Sequence, residues 1–252
     1  MLRSAVKSHI GTPFIHLSET DSTNRYARNQ IDAQLASHGT VYFADFQTQG
    51  KGRQEKAWVS ERGKNILMTL VLNHSGRKNE EAPALNRLIA LAAFDFFDQL
   101  AGRGTSIKWP NDIYWGDRKA GGILIENIWR GTEWTWSIIG LGLNINQVDF
   151  PEQAAKATSL QLITGINYEV VQLAQELCQR ITDRLQSWTA DEEQPTLAEY
   201  NKHLFKKNQP VTLLSEGKKL SCTPLEVLDS GELKVKTLDG EIISLRQAQW
   251  IE

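Results

Sequence analysis

The residues from Lys108 to Gly122 read KWPNDIYWGDRKAGG and set two tight turns close together. Pro110-Asn111-Asp112 and Gly116-Asp117 are turn formers, and Ile113-Tyr114-Trp115 between them is a short apolar run. Two such turns flanking short apolar runs predict a hairpin. The hairpin sets Lys119 beside Gly121 and Gly122, where no side chain screens the main-chain N–H groups. A charged donor next to bare backbone suits an anion. A surface lysine after a turn is the ordinary alternative, because exposed lysines are the norm.

The segments around the hairpin predict an α+β fold. Asn65–Asn73, NILMTLVLN, is apolar on both faces and so predicts a central strand. Phe14–Leu17 and Thr40–Phe46 also read as strands, as do Gly121–Ile128 and Trp134–Asn146. Ser22 or Thr23 caps a helix expected to run to about Ser37, with Tyr26, Ile31 and Leu35 as its apolar stripe. Ala84–Leu100 is a second helix, with Leu85, Leu88, Ile89, Ala92, Phe96 and Leu100 facing inward. Residues 150–165 are expected as a loop with a short helical piece. Two further helices follow at Asn167–Trp188 and Thr196–Leu204, with the acidic 191–195 stretch as a linker. Beyond Pro210, short strands separated by Ser-Glu-Gly, Asp-Ser-Gly and Asp-Gly predict a small barrel of SH3-like type.

Composition excludes several classes. A hydrophobic content of 40% with 23% charged residues is that of a soluble globular chain. A formal net charge of −2 gives no basic field to suggest nucleic acid as the main partner. Cys178 and Cys222 sit in no CxxC and no Cys/His cluster, which argues against a metal site or a disulfide framework and suits a reducing cytoplasm. No apolar stretch reaches the roughly 18 residues of a membrane span, and no leader pattern opens the chain, so a cytoplasmic protein without a membrane partner is expected.

Four blocks of residues carry a resemblance. They are Asp21-Ser22-Thr23-Asn24, then Gln47-Thr48-Gln49-Gly50-Lys51-Gly52-Arg53, then Lys108-Trp109-Pro110-Asn111-Asp112 with Asp117-Arg118-Lys119 and Gly122-Ile123-Leu124, and last Gly140-Leu141-Gly142-Leu143-Asn144. In order and spacing they strongly resemble the biotin–protein ligase family over roughly residues 14–205. The resemblance implies a catalytic domain at 1–205, a mixed β-sheet with helices packed on it like that of class II synthetases and biotin–lipoate ligases. An SH3-like domain at 206–252 would follow it. It also implies ATP-dependent activation of biotin to biotinyl-5′-AMP, with Mg²⁺ neutralising the pyrophosphate oxygens and no metal held by the protein. Biotin would then pass to a lysine of a biotin carboxyl carrier protein domain. A DNA-reading role is disfavoured, since residues 1–13 are too few for a helix-turn-helix domain.

By the same resemblance, Ser22, Thr23, Asn24, Gln47, Gly50, Lys51, Gly52, Lys119 and Gly122 would hold biotin. Arg53, Lys56, Trp58, Asn111, Lys119, Gly142 and Asn144 would hold ATP and the adenylate. The chemistry fits these residue types. The first step brings a carboxylate against a polyphosphate, so its barrier is largely like-charge repulsion, and it needs placed cations and N–H dipoles more than a strong base. Lys119 would bridge carboxylate and α-phosphate, Arg53 would grip phosphate, and Asp112 would orient or help deprotonate the incoming lysine. Local alternatives stand beside these roles: Ser-Thr-Asn is a common helix cap, and Asp after Pro-Asn a common turn residue. Trp58 and Trp109 are expected near the edge of an apolar pocket. The 50–58 loop reads GKGRQEKAW where the family pattern is richer in arginine; Arg53 and Trp58 are kept, while Lys51, Gln54, Glu55 and Lys56 depart from it. A lipoate–protein ligase and a non-catalytic relative are the competing readings.

Overall fold

The computed structural model describes residues 9–53, 56–74, 81–186, 188 and 193–251. Seven strands form one mixed sheet: β1 (Phe14–Leu17), β2 (Val41–Ala44), β3 (Asn65–Asn73), β4 (Thr105–Lys108), β5 (Asp112–Trp115), β6 (Arg118–Arg130) and β7 (Glu133–Asn144). Their order is β1-β2-β3-β7-β6-β5-β4. Only the β1–β2 pair is parallel; every other neighbour is antiparallel. Helices α2 (Ala82–Ala101) and α4 (Val170–Gln186) share one apolar cluster with Ile66, Met68, Leu70 and Leu72 of β3. On the other face α1 (Thr23–Asp32) sets Ala27 and Ile31 against Tyr42, Val71 and Ile138. Alternate residues of β3 therefore serve two cores, which is why its sequence lacks a polar face.

The remaining elements are a short 3₁₀ turn (Glu152–Ala154), α3 (Leu160–Thr164), α5 (Glu193–Lys202) and a second, antiparallel sheet. That sheet comprises β8 (Val211–Ser215), β9 (Lys218–Val227), β10 (Leu233–Thr237), β11 (Ile242–Leu245) and β12 (Gln249–Ile251), in the order β11-β10-β9-β8-β12. It is the small all-β unit expected beyond Pro210. Its Leu213, Val227, Leu233 and Val235 join the same apolar cluster as α2 and α4. Arg87 of α2 donates to the Asp229 carbonyl and carboxylate at 2.8 and 2.7 Å, and Asn201 of α5 exchanges two bonds with Val227. No described helix is long and apolar enough to cross a membrane.

Three expectations are corrected. The first helix stops at Asp32, not near Ser37, and Leu35 is exposed rather than part of the buried stripe. Gln34 takes a left-handed φ of 60°, and Leu35 N–H bonds back to Gln30 while Gln34 N–H bonds to Ile31. This is the usual glycine stop made with a glutamine. The predicted 191–195 linker is in part the start of α5, with Pro195 in the first turn where it removes no helical bond; Asp191 and Glu192 lie outside the described residues. The second strand is shorter than its apolar run, at Val41–Ala44.

Candidate active site

The site begins with a register shift. Opposite β5, Asp112 pairs with Gly122 and Ile113 with Gly121, but Tyr114 pairs with Lys119. Ala120 is the extra residue of a bulge, which reverses the alternation of side chains along β6. Lys119 and Gly122, three apart, thereby share one face. A Cβ at Gly122 would stand 3.3 Å from Asp112 Oδ1, 3.3 Å from Trp58 Cζ3 and 3.4 Å from Lys119 Nζ. Lys119 Nζ itself lies 2.8 Å from Asp112 Oδ1 and 5.7 Å from the centre of the Trp58 ring. The Lys119 backbone is fixed as well: its N–H donates to Lys156 O and its carbonyl accepts from Thr158 N–H, both at 2.8 Å.

Gly122 faces Gly142 across the β6–β7 pair, and Gly142 is two residues from Gly140 on the same face. These three positions make a floor without side chains. A Cβ on Gly142 would meet Trp58 Cε2 and Cζ2 at 2.7 Å, and one on Gly140 would meet Asn24 Oδ1 at 2.3 Å. The glycines are therefore what let an indole lie at one end of the groove and an amide at the other. Trp58 Nε1 is buried with no hydrogen-bond partner.

At the Gly140 end a polar cluster is closed by short bonds. The Gln47 side-chain carbonyl accepts from Thr23 N–H at 2.7 Å and from the Thr23 hydroxyl at 3.0 Å. Thr69, from the middle of β3, places its hydroxyl 2.8 Å from Thr23 Oγ1 and 2.7 Å from Asn24 Oδ1; its one proton serves either acceptor. Asn24 Nδ2 donates to Glu126 at 2.7 Å. Ser22 is the N-cap of α1 by position, but its side chain makes no capping bond. Capping is thus not what places serine there. Its N–H donates to Asp21 Oδ1 at 2.6 Å.

At the other end, Arg53 Nη1 reaches Asn111 Oδ1 at 3.5 Å, and Asn111 Nδ2 donates to Ile123 O. Burial lowers the pKa of Arg53 and the nearby Asp112 charge opposes that shift; a guanidinium stays protonated throughout the working range. The loop carrying Arg53 has a narrow, bonded stem rather than a fully open form: Trp58 N–H donates to Gly50 O at 2.8 Å and Gly52 N–H to Lys56 O at 2.7 Å. Gly50 is needed there, since a Cβ would stand 2.7 Å from Trp58 O. Lys51 and Lys56 are exposed on this stem, and Gln54 and Glu55 lie outside the described residues.

Two expected site residues sit differently from their forecast. Asn144 is buried, and its amide donates to Thr158 O at 2.9 Å and approaches Lys119 O at 3.5 Å, so it braces the strand of Lys119. Trp109 is also buried and turned toward the second sheet, where its indole donates to Gly231 O at 2.9 Å. It lines a cavity of about 300 Å³ with Arg53, Asn111, Ile123 and Gly231, not the Gly140 end. The sequence reading missed Thr69 and Glu126. Thr69 had a signal, as the one polar residue inside an otherwise apolar run; Glu126 had none. Among the described residues no cluster of three His, Cys, Asp or Glu side chains is arranged to hold a metal.

The model of the biotin/lipoate A/B protein ligase family matches residues 17–144. "Bifunctional ligase/repressor BirA" of Bacillus spizizenii is 35% identical over 168 residues, 65% of this chain and 51% of that protein. "Biotin--[acetyl-CoA-carboxylase] ligase" of Paracoccus denitrificans is 34% identical over 131 residues, 51% of this chain and 53% of that one. The chain thus spans about half the length of these curated relatives. Among solved structures, the biotin protein ligase from Aquifex aeolicus in complex with biotin and ATP superposes with a TM-score of 0.80 at 25% identity, covering 94% of this chain and 97% of that one.

Proposed function

Because the chain belongs to the biotin/lipoate A/B protein ligase family, we propose that it is an ATP-dependent biotin–protein ligase. It joins the biotin carboxylate to the α-phosphate of ATP, releasing pyrophosphate, and passes biotin from the adenylate to a lysine of a biotin carboxyl carrier domain, releasing AMP. The observation that carries this reading is the Lys119–Asp112 pair at 2.8 Å, standing over the bare Gly122. A cation held above a floor without side chains can meet a carboxylate and a phosphate together, which is what the first step requires.

The roles follow from position. The Thr23, Asn24, Gln47 and Thr69 cluster offers fixed donors and acceptors to the ureido ring, with Ser22 at its rim; Gly50, Lys51 and Gly52 border it. Lys119 draws the carboxylate to the α-phosphate, while Arg53 and Lys56 take phosphate charge. Asn111 holds Arg53. The Trp58 ring over Gly142 borders the adenylate, and its buried N–H is a donor for it. Asn144 acts at one remove, by fixing Lys119. When the adenylate claims Lys119, the Asp112 carboxylate is released to orient the acceptor lysine and take its proton. Mg²⁺ arrives with the nucleotide, held by phosphates and water, and no step here passes through a protein metal site. The catalytic unit is residues 1–205, with 206–252 as the second domain and the cytoplasm as the place of work.

The polar cluster at the Gly140 end favours biotin over lipoate, because a ureido ring can share in these hydrogen bonds while a dithiolane ring offers them neither a donor nor a strong acceptor. The test is mass spectrometry of a carrier domain incubated with the protein, ATP and either biotin or lipoate. Biotin addition with AMP release is expected. Addition of lipoate instead would select the other branch of the family, and no addition with either would leave a non-catalytic relative.

A further inference from the structure

The second sheet grips the turn that carries Asn111 and Asp112. Trp250 of β12 donates its indole N–H to Trp109 O at 2.9 Å, while Trp109 donates its own to Gly231 O at 2.9 Å. The Trp250 ring also stands 5.3 Å from Lys108 Nζ. That ammonium is buried; it lies 4.3 Å from the Tyr114 ring and 5.4 Å from the Phe205 ring, and donates to Tyr114 Oη at 2.9 Å. A desolvated lysine amid three aromatic faces is strongly localised. One side chain from the far end of the chain therefore holds both residues that lead into Pro110-Asn111-Asp112: the carbonyl of Trp109 and the charge of Lys108. From that turn Asn111 meets Arg53 and Asp112 meets Lys119.

Resting on the ligase reading above, we propose that Trp250 is a positioning residue for adenylate formation. It acts through the Lys108-Trp109 backbone, keeping Asn111 and Asp112 opposed to Arg53 and Lys119 at the separation the reacting groups need. It is far from the Thr23, Asn24 and Gln47 cluster in sheet order, since that cluster sits over β3 and β7 while the turn joins β4 to β5. Its effect should accordingly fall on turnover and spare biotin binding.

The test is Trp250→Phe in the full chain, which deletes the donor and keeps a ring beside Lys108. The second sheet stays docked, because Arg87–Asp229 and Asn201–Val227 hold it independently; circular dichroism and the melting temperature check this. The rate of adenylate formation at saturating biotin and ATP is expected to fall about three- to tenfold, the scale of one neutral hydrogen bond, with KM for biotin unchanged. In an Asn111→Ala background the same substitution should cost clearly less than it does alone, since part of its effect runs through Asn111 and only the Asp112–Lys119 part remains. A Trp250→Phe protein with wild-type turnover overturns the proposal. So do losses that multiply with Asn111→Ala, or a biotin KM that rises in step with the loss of rate. A wild-type protein that makes no adenylate removes the ligase reading itself, and that result is distinct from all of these.

Discussion

The two ends of the glycine floor are built in opposite ways. At the Gly140 end Thr23, Asn24 and Thr69 are buried and joined by bonds of 2.7 to 3.0 Å to one another, to Gln47 and to Glu126. At the Gly122 end Lys119 is 35% exposed, Asp112 23%, and Arg53 reaches Asn111 only at 3.5 Å. The first end is finished before a ligand arrives; a neutral polar ring can be recognised by groups that do not move. In the proposed reaction the second end would handle charge that builds, shifts and leaves. Cations there need freedom to follow it, within limits set by the Lys119 backbone bonds and the Asn111 turn. A preorganised polar end beside a looser charged end would suit the two-step transfer proposed above.

The contrast breaks most severely at Lys119. Lys119→Ala should lower adenylate formation by roughly two to three orders of magnitude, the usual scale for one electrostatic donor, while biotin affinity changes little because the Gly140 end is intact. Near-normal single-turnover adenylation would show that the charged end does not depend on this lysine. Arg53→Gly should still form adenylate but release it. Loss of a charge-assisted contact costs about 1.5–3 kcal/mol, which is roughly 10- to 150-fold faster escape in stopped flow, with bystander proteins becoming biotinylated. Unchanged retention would place the hold on the intermediate elsewhere, with Lys119 and its strand.

The preset end is tested by adding one carbon. Gly140→Ala would set a methyl 2.3 Å from Asn24 Oδ1, and Asn24 is already committed to Thr69 and Glu126. Asn24 must give up part of that bonding, at about 1–2 kcal/mol. Biotin Kd by titration calorimetry should therefore rise about 5- to 30-fold, with adenylation at saturating biotin much less affected. A rate loss without an affinity loss would reverse the assignment of the two ends.

What could be read from the sequence divides along the same physical line. β3 spans Asn65–Asn73 as its apolar run predicts, because burial on both faces leaves a signature in every residue. The glycines of β7 are legible as places of close approach, since a glycine that weakens a buried strand often marks one. Their visitors, Trp58 and Asn24, arrive from other elements and leave no local trace. The bulge at Ala120 depends on pairing with β5, so the sequence shows Lys-Ala-Gly-Gly without showing that Lys119 and Gly122 share a face. The end of α1 was misplaced because Gln34 does a glycine's work. Trp250 is invisible for a different reason: its partner Trp109 is 141 residues away.

The smallest expected effect concerns Asp21, at the border of the preset end. Desolvation pushes the pKa of its carboxyl up, but the Ser22 N–H and the Arg25 guanidinium outweigh it, so the group titrates below its ordinary value. A carboxylate with a lowered folded pKa contributes stability that is fully present above the unfolded value and is lost as pH falls through the folded one. The side chain is 36% exposed and its Arg25 partner 44%, so solvent screening keeps the contribution below about 1 kcal/mol. Asp21→Asn should accordingly lower the urea midpoint slightly at pH 6 to 7, and the difference from wild type should begin to shrink as pH falls past about 3.8, the ordinary aspartate value, and vanish only below the lowered folded one. Asp21 also orients the Ser22 amide at 2.6 Å. If the recognition end is preset by Thr23, Asn24, Gln47 and Thr69 alone, biotin affinity in Asp21→Asn stays within about twofold of wild type. A larger loss would extend that end to the residue before the helix. A stability difference that persists at low pH would show that Asp21 acts by shape and not by charge.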